Sequence, residues 1–250
     1  MNPPVKLDKF FYNQMPFYVI RDDLLVGGTK QRALEKYLKS FDVKEFVYAG
    51  PDNGYAQIAL AHVAGKLGKR VTVFAQSVPG KPSEPSLRAT KYGANMIYVA
   101  ADLKTTKAKA EKYVSQTPGS LLVPFGLVDD LYLKMLIEAL KEATANILPP
   151  KRIWIPAGSG TLLRSIAAIW PHARILVVAI AKPIYWQDYS QELISRTKEY
   201  SAIKYYSLRE AVRDEDTPPY PSLSTYDAKV WIFAQNELQP NDYIWNVGAD

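Results

Sequence analysis

Cysteine is absent from the 250 residues and histidine occurs twice. The first absence removes disulfides, thiolate nucleophiles, iron–sulfur ligation and zinc–cysteine sites together. The second leaves His62, in an apolar helical context, and His172, in a WPHAR turn, so imidazole metal sites and Ser-His-Asp chemistry have almost no material. No metal site is therefore expected. Long apolar runs are missing too: none approaches the roughly 18 to 20 residues of a membrane span. The opening MNPPVKLDKFFYNQ lacks the basic-then-apolar order of a signal peptide, and a cytoplasmic location is the expectation. Charge of neither sign dominates, with 31 Lys and Arg against 25 Asp and Glu and a net charge of +6. Much of the excess lies in segments such as Leu103 to Val114, where lysines interleave with alanines as on a solvated helix face. The clustered arginines and aromatic platforms that nucleic acid requires are not apparent. Chemistry is left to Lys, Tyr, Asp, Ser or Thr, or to a borrowed cofactor, and small anionic molecules are the economical partners.

What is present is a repeating alternation. The chain is 48% hydrophobic, long enough for one large domain or two smaller ones. EFVYAG (45–50) reads as a buried strand, YAQIALAHVAGKLG (55–68) as a helix ending at glycine, and RVTVFAQ (70–76) as the next strand. The rhythm continues with a helix at 86–93, a strand at 95–100, a helix at 104–116 and a strand at 120–126. A long helix at 129–146 leads to a strand before GSGT, a helix at 161–170 and a strand at 174–180. Strands separated by helices of this length predict an α/β fold with largely parallel sheets covered on both faces. Beyond Ala181 the pattern predicts a helix near 188–200, a strand near IKYYSL (203–208), a surface or lid loop at Thr217–Ser224, a helix at 226–235 and a last strand at 242–248.

Three stretches carry candidate chemistry. In VGGTKQRALEKYL (26–38), Ala33, Leu34, Tyr37 and Leu38 form one helical stripe, and Lys30 lies three and four residues ahead of it on the same face. A snorkelling lysine explains a single case; an inward amine is the functional alternative. In IWIPAGSGTLLRSIAAI, a strand runs through Gly158, Ser159, Gly160 and Thr161 into a helix, a turn whose backbone N–H groups and helix dipole suit an anion. It has neither the P-loop lysine nor the G-x-G-x-x-G dinucleotide pattern. In AGPDNGYAQIAL (49–60), Asn53 and Gly54 form an ordinary turn pair, and Asp52 or Asn53 could cap the helix. The same turn places the Asn53 side chain at the edge where α/β sheets bind ligands. An inward lysine, an anion turn and an asparagine turn suit pyridoxal 5'-phosphate, which needs an amine, a phosphate cradle and a donor to its ring oxygen.

These blocks resemble the fold-type II pyridoxal-phosphate enzymes, the tryptophan synthase β-like superfamily, and most closely its 1-aminocyclopropane-1-carboxylate deaminase and D-cysteine desulfhydrase branch. IRDDLLVGGTKQRALEKYL (20–38) is similar to that branch's Arg-Asp-Asp, Gly-Gly-x-Lys and Arg-x-Leu-Glu block, GSGT to its phosphate loop, and TYDAKVW (225–231) to its tyrosine-acid-x-lysine stretch. The resemblance implies that Lys30 is the Schiff-base lysine and a proton carrier, and that Asn53 stands beside the phenolic oxygen. It implies further that Gly158 to Thr161 hold the phosphate, that Tyr226 is a second acid or base, and that Asp227 meets the pyridine nitrogen. Asp52, Asn53 and Gly54 become the substrate-carboxylate loop. The implied activity is elimination or deamination of a small amino acid to a keto acid and ammonia, by a homodimer. Two lobes are expected: a smaller one over 38–124, and a larger cofactor-binding one of 1–37 plus 125–250.

The chain departs from the pattern in places. It is shorter than most members, Val247 stands where relatives carry a hydroxyl, and Asp52 replaces a small hydroxyl residue. An acid at 52 would repel a substrate carboxylate unless turned away or protonated. Two alternatives follow: a shortened relative that binds the cofactor or another small anion without turnover, and an unrelated nucleotide-binding protein.

Overall fold

The computed structural model describes residues 3–77 and 82–249. The chain divides into two compact units, Met1–Leu25 with Ile137–Asp250, and Val26–Leu136. The sequence pattern suggests divisions after 37 and 124 instead. The segment 26–37 falls with the smaller unit because its helix packs on a neighbour within that unit, with Gly27 against Ala59 and the ring of Tyr37 edge-on to Tyr132.

The chain opens with a hairpin that the periodicity does not announce. Strands β1 (Leu7–Tyr12) and β2 (Met15–Arg21) pair antiparallel, with Tyr12 opposite Met15. The turn residues Asn13 and Gln14 have φ of 49° and 63°, the left-handed pair that a two-residue hairpin requires. Glutamine in place of the usual glycine hides the signal.

In the unit Val26–Leu136, a single 3-10 turn, Gly28–Lys30, precedes α1 (Gln31–Lys39). The expected stripe of Ala33, Leu34, Tyr37 and Leu38 is buried. There follow β3 (Glu45–Pro51), α2 (Ala56–Lys66), β4 (Arg70–Gln76), α3 (Glu84–Lys91), β5 (Asn95–Val99), α4 (Leu103–Gln116) and β6 (Ser120–Val123). The strands form a parallel sheet in the order β5-β4-β3-β6. Glu45 to Gly50 of β3 are all buried, as a strand covered on both faces must be. Helix α2 buries Ile58, Ala59, Leu60 and Ala61 in succession, the mark of a helix enclosed all round. Helix α4, which reads as a solvated face, buries Thr106 and Ala110. It starts at Asp102, whose carboxylate accepts the N–H of Thr105 at 2.7 Å, a side-chain N-cap.

After α5 (Asp130–Ala143) come β7 (Arg152–Ala157), α6 (Thr161–Ile169), β8 (Arg174–Ala179), α7 (Gln191–Ser195), β9 (Thr197–Ser201), α8 (Trp231–Glu237) and β10 (Tyr243–Asn246). This unit's sheet runs β1-β2-β10-β7-β8-β9. Apart from the β1/β2 hairpin its pairings are parallel, so β2, β10, β7, β8 and β9 end at one edge. Phe17, Trp154, Leu176, Val178, Trp231 and Ile244 share its core.

Two expectations for this half are corrected. The helix anticipated over 188–200 shrinks to α7, and the strand lies at Thr197–Ser201 instead of 203–208, where Ala202–Lys204 form a 3-10 turn. Pairing along β8 decides this: Ile175 N–H donates to the Arg196 carbonyl at 3.0 Å, drawing 197–201 into the sheet over any local helical preference. The loop Thr217–Ser224 is packed down at two points, where Tyr220 and Leu223 are buried. It is tied down where Leu223 N–H donates to Gly248 O at 2.8 Å and Asn246 Nδ2 donates to Pro221 O at 2.7 Å.

Candidate active site

The anion turn sits at the C-terminal end of β7, inside the sheet. Gly160 is the N-cap of α6 at φ 83°, ψ −4°, a left-handed conformation that glycine enters without strain. It carries no side chain to occupy the first-turn N–H groups, which point out of the helix end with the positive pole of its dipole. Ser159 Oγ and Thr161 Oγ1 lie 3.0 Å apart on the same turn. Both glycines are also required by space. A Cβ on Gly158 would fall 2.7 Å from the Tyr226 hydroxyl, and one on Gly160 2.4 Å from the Tyr189 hydroxyl.

Tyr226 and Asp227 reach the same edge from the short 3-10 helix before α8. Asp227 is buried and its carboxylate accepts the N–H of Val247 at 2.7 Å and of Gly248 at 3.1 Å. The backbone of Val247 thus supplies a hydrogen bond where its side chain offers none. Burial, reinforced by the Asp227 charge, raises the Tyr226 phenol above its ordinary value of 10. Tyr226 therefore stays protonated and is a donor at any physiological pH. The Arg-Asp-Asp run is explained at the end of β2. Arg21 pairs with Asp8 and Asp23 at 2.7 Å each, while fully buried Asp22 accepts the indole N–H of Trp245 at 3.2 Å. The Arg21 pairs tie the end of β2 to β1 and to the following turn, and the Trp245–Asp22 bond ties it to β10.

In the other unit, Lys30 ends the 3-10 turn and is half-buried. Its turn is fixed at three points. Gly28 has φ 60°; Gly27 N–H donates to Gln31 Oε1 at 3.1 Å; and the Lys30 carbonyl accepts the hydroxyl of Tyr132 at 2.8 Å. Gly27 also lies so close to α2 that a Cβ there would fall 2.3 Å from the Cβ of Ala59. Tyr132 is fully buried, and desolvation raises its phenol further from ionisation.

The asparagine turn leaves β3 and opens α2, the helix against which Gly27 packs. Asp52 is fully buried. Its backbone carbonyl accepts three side chains: Gln57 Nε2, Ser83 Oγ at 2.6 Å and Ser86 Oγ at 2.8 Å. Gly54 N–H donates to Pro51 O at 3.1 Å, closing the turn. Tyr55 is the N-cap of α2, and Asn53 Oδ1 is buried with no hydrogen-bond partner among the described residues. A buried amide oxygen without a partner is costly, and here it stands at the strand edge where ligands bind.

Gly158, Ser159, Gly160, Thr161, Tyr226 and Asp227 thus belong to one unit, and Lys30, Asp52, Asn53 and Gly54 to the other. Three residues escaped the sequence reading. Tyr132 has no motif and is visible solely through its bond to the Lys30 carbonyl. Tyr189 is distant in sequence from the turn it covers. Tyr220, in PPYP, is buried with an unpartnered hydroxyl and is influenced by the Asp227 charge; an aromatic between prolines is a signal of a packed loop that could have been read.

No protein-family model matches the chain, and no curated protein sequence matches it. Solved structures do. An ACC deaminase homologue superposes with a TM-score of 0.78 over 98% of this chain and 89% of its own, at 16% identity. Diaminopropionate ammonia lyase from Escherichia coli gives 0.67 over 100% and 83%, at 14% identity. Threonine deaminase isoform 2 from Solanum lycopersicum gives 0.64 over 94% and 75%, at 14% identity. This chain therefore has the mostly parallel, two-sheet α/β fold of the tryptophan synthase β-like type that its motifs imply.

Proposed function

We propose that this protein is a pyridoxal 5'-phosphate-dependent enzyme that converts a small amino acid to a keto acid and ammonia by elimination or deamination. The observation that carries the reading is the Gly158–Thr161 turn. It lies at a helix N-terminus capped by glycine, with serine, threonine and tyrosine hydroxyls around it. The Asn53 amide, whose Nδ2 can donate to a ring oxygen, is a second feature that fits such a group.

When bound, pyridoxal phosphate supplies an aldehyde for an amine and an electron sink for the pair left at the substrate α carbon. The chain's own residues do the rest. Lys30 would hold the aldehyde, and its Nζ, when free, would move the proton at the α or β carbon. Gly158 to Thr161 bind the phosphate, and Asn53 orients the ring oxygen. Asp227, aimed by the Val247 and Gly248 N–H groups, offers remaining lone pairs to the pyridine nitrogen and favours its protonated form. Tyr226, kept protonated, donates. Asp52 sets the turn through its backbone carbonyl, and Asp52, Asn53 and Gly54 form the loop that meets the substrate carboxylate. Within the class, the likeness of Ile20–Leu38 and Thr225–Trp231 to the 1-aminocyclopropane-1-carboxylate deaminase and D-cysteine desulfhydrase branch favours those substrates.

The test is to add the cofactor, reduce with borohydride and map the labelled peptide. The label is expected on Lys30 and absent from Lys30→Ala. A panel of D- and L-amino acids, with D-cysteine and 1-aminocyclopropane-1-carboxylate included, should then show ammonia and keto-acid release. A colourless protein that takes no label would overturn the cofactor assignment. A labelled protein that turns over nothing in the panel would overturn the catalytic one.

A further inference from the structure

Glu199 of β9 accepts the indole N–H of Trp186 at 2.5 Å and the N–H of Ile184 at 3.3 Å. That pins the segment between β8 and α7 to the sheet. The Trp186 ring packs on Tyr189 with centroids 5.4 Å apart, and the Arg164 guanidinium lies over the Tyr189 ring at 5.2 Å. Held from both sides, Tyr189 puts its hydroxyl 2.4 Å from where a Cβ of Gly160 would be, while the Tyr226 hydroxyl takes the equivalent place at Gly158. Neither hydroxyl is hydrogen-bonded to another of the described residues.

We infer that Tyr189 is a second phenolic donor to a phosphomonoester group seated on the Gly158–Thr161 turn, with Tyr226 at the other glycine and Arg164 adding positive charge. The inference rests on the reading of that turn as an anion site and deepens it. A turn that merely ends a strand needs no hydroxyl over either glycine. Gly160 is the N-cap of α6 and the Tyr189 hydroxyl lies beside it, so a tetrahedral dianion on the turn would be within reach of a phenolic donor as well as the first-turn N–H groups. Glu199 is then a positioning residue that acts through Trp186. The same chemistry serves a free phosphate ion or the phosphate of pyridoxal phosphate, so the two are separated by experiment.

Calorimetric titration of the full chain with inorganic phosphate, pyridoxal 5'-phosphate and pyridoxal provides the test. Tyr189→Phe removes one oxygen and keeps the ring packing. It is expected to weaken inorganic phosphate and pyridoxal phosphate roughly tenfold or more, the effect of one hydrogen bond to a charged acceptor. Pyridoxal affinity and the urea midpoint should stay at wild-type values. Glu199→Gln, which retains an acceptor for Trp186, should show a smaller loss confined to the two phosphate-bearing ligands. Wild-type-like phosphate affinity in Tyr189→Phe would overturn the assignment of Tyr189 and leave the turn's role standing. If the wild-type chain binds no phosphate and does not distinguish pyridoxal phosphate from pyridoxal, the anion site itself is refuted and Tyr189 falls with it. Uptake of inorganic phosphate without that distinction would place a free-phosphate site there and overturn the cofactor source.

Discussion

Gly27→Ala perturbs the turn that carries Lys30 through a single methyl group, and the structure fixes the sign of its effect. The backbone at φ −104°, ψ 14° is open to alanine, so no conformational penalty arises in the folded state. Loss of glycine freedom in the unfolded chain would even stabilise by ~0.4 to 1 kcal/mol. Sterics run the other way. The new Cβ falls 2.3 Å from the Cβ and 2.4 Å from the Cα of Ala59, against the roughly 3.5 to 4 Å at which carbons rest. Ala59 is in the enclosed helix α2, where no neighbour can retreat into solvent. Overpacking of this kind costs about 1 to 3 kcal/mol, and the clash with backbone puts Gly27→Ala at the upper end, near ~2 kcal/mol net. Gly68→Ala is the control: its φ is 68° and nothing lies within 4 Å of a Cβ there, so it bears the left-handed penalty of ~1 to 2 kcal/mol alone. Urea midpoints should therefore fall for both, whereas borohydride fixation of cofactor on Lys30 should fall for Gly27→Ala alone. Adding Ala59→Gly should not rescue it, because the clash with the backbone of residue 59 remains. Full rescue, or unaltered stability and labelling of Gly27→Ala, would show that the close approach of the Lys30 turn to α2 is wrong.

Lys229 is fully buried and donates to the Ser207 carbonyl at 2.8 Å, and desolvation lowers its ammonium from 10.5 to about 8. Its folded value lies below its unfolded one, so stability rises with pH between about 8 and 10.5. Relative to Lys229→Met, the wild-type chain should gain ~1.5 kcal/mol between pH 8 and 9.5, the slope approaching about 1.36 kcal/mol per pH unit; a flat difference in unfolding free energy across that range would contradict the buried charge. Asp227→Asn removes the charge and leaves one of the Val247 and Gly248 N–H groups without an acceptor. A loss of about 1.5 to 3 kcal/mol should appear with faster amide exchange at those two residues, and protection equal to wild type would argue against the clamp. Tyr132→Phe removes the hydroxyl donor to the Lys30 carbonyl, and thermal unfolding should register a drop of ~1 kcal/mol; an unchanged melting temperature would mean that the bond does not form in solution.

Much of the scaffold is legible because parallel sheets make heavy demands on sequence. Strands β3, β4, β7 and β8 must be apolar throughout, the helices between them have faces to bury, and glycine marks several turns. The stripe of α1 and the anion turn are readable for the same reason, since spacing and glycine content encode them locally. Where local signals conflict with pairing, sequence loses. The segment 197–201 joins β8 because an open strand edge is available, and the Asn13-Gln14 hairpin forms without its customary glycine because β2 has β10 to pair with.

The residues that support the candidate site are illegible for a different reason: their partners are remote in sequence. Asp227 clamps a segment twenty residues on, Tyr132 reaches the Lys30 carbonyl across about a hundred residues, and Tyr189 covers Gly160 from beyond another strand. The turn at Asp52 is likewise set by three donors to its carbonyl, two of them on α3 and its N-cap. By itself, then, the chain's pattern of apolar spacing and glycine determined the architecture and the residue types available for chemistry. Side-chain direction, burial and hydrogen-bond partnership were decided by the tertiary structure alone, because these depend on which surfaces packing brings opposite one another.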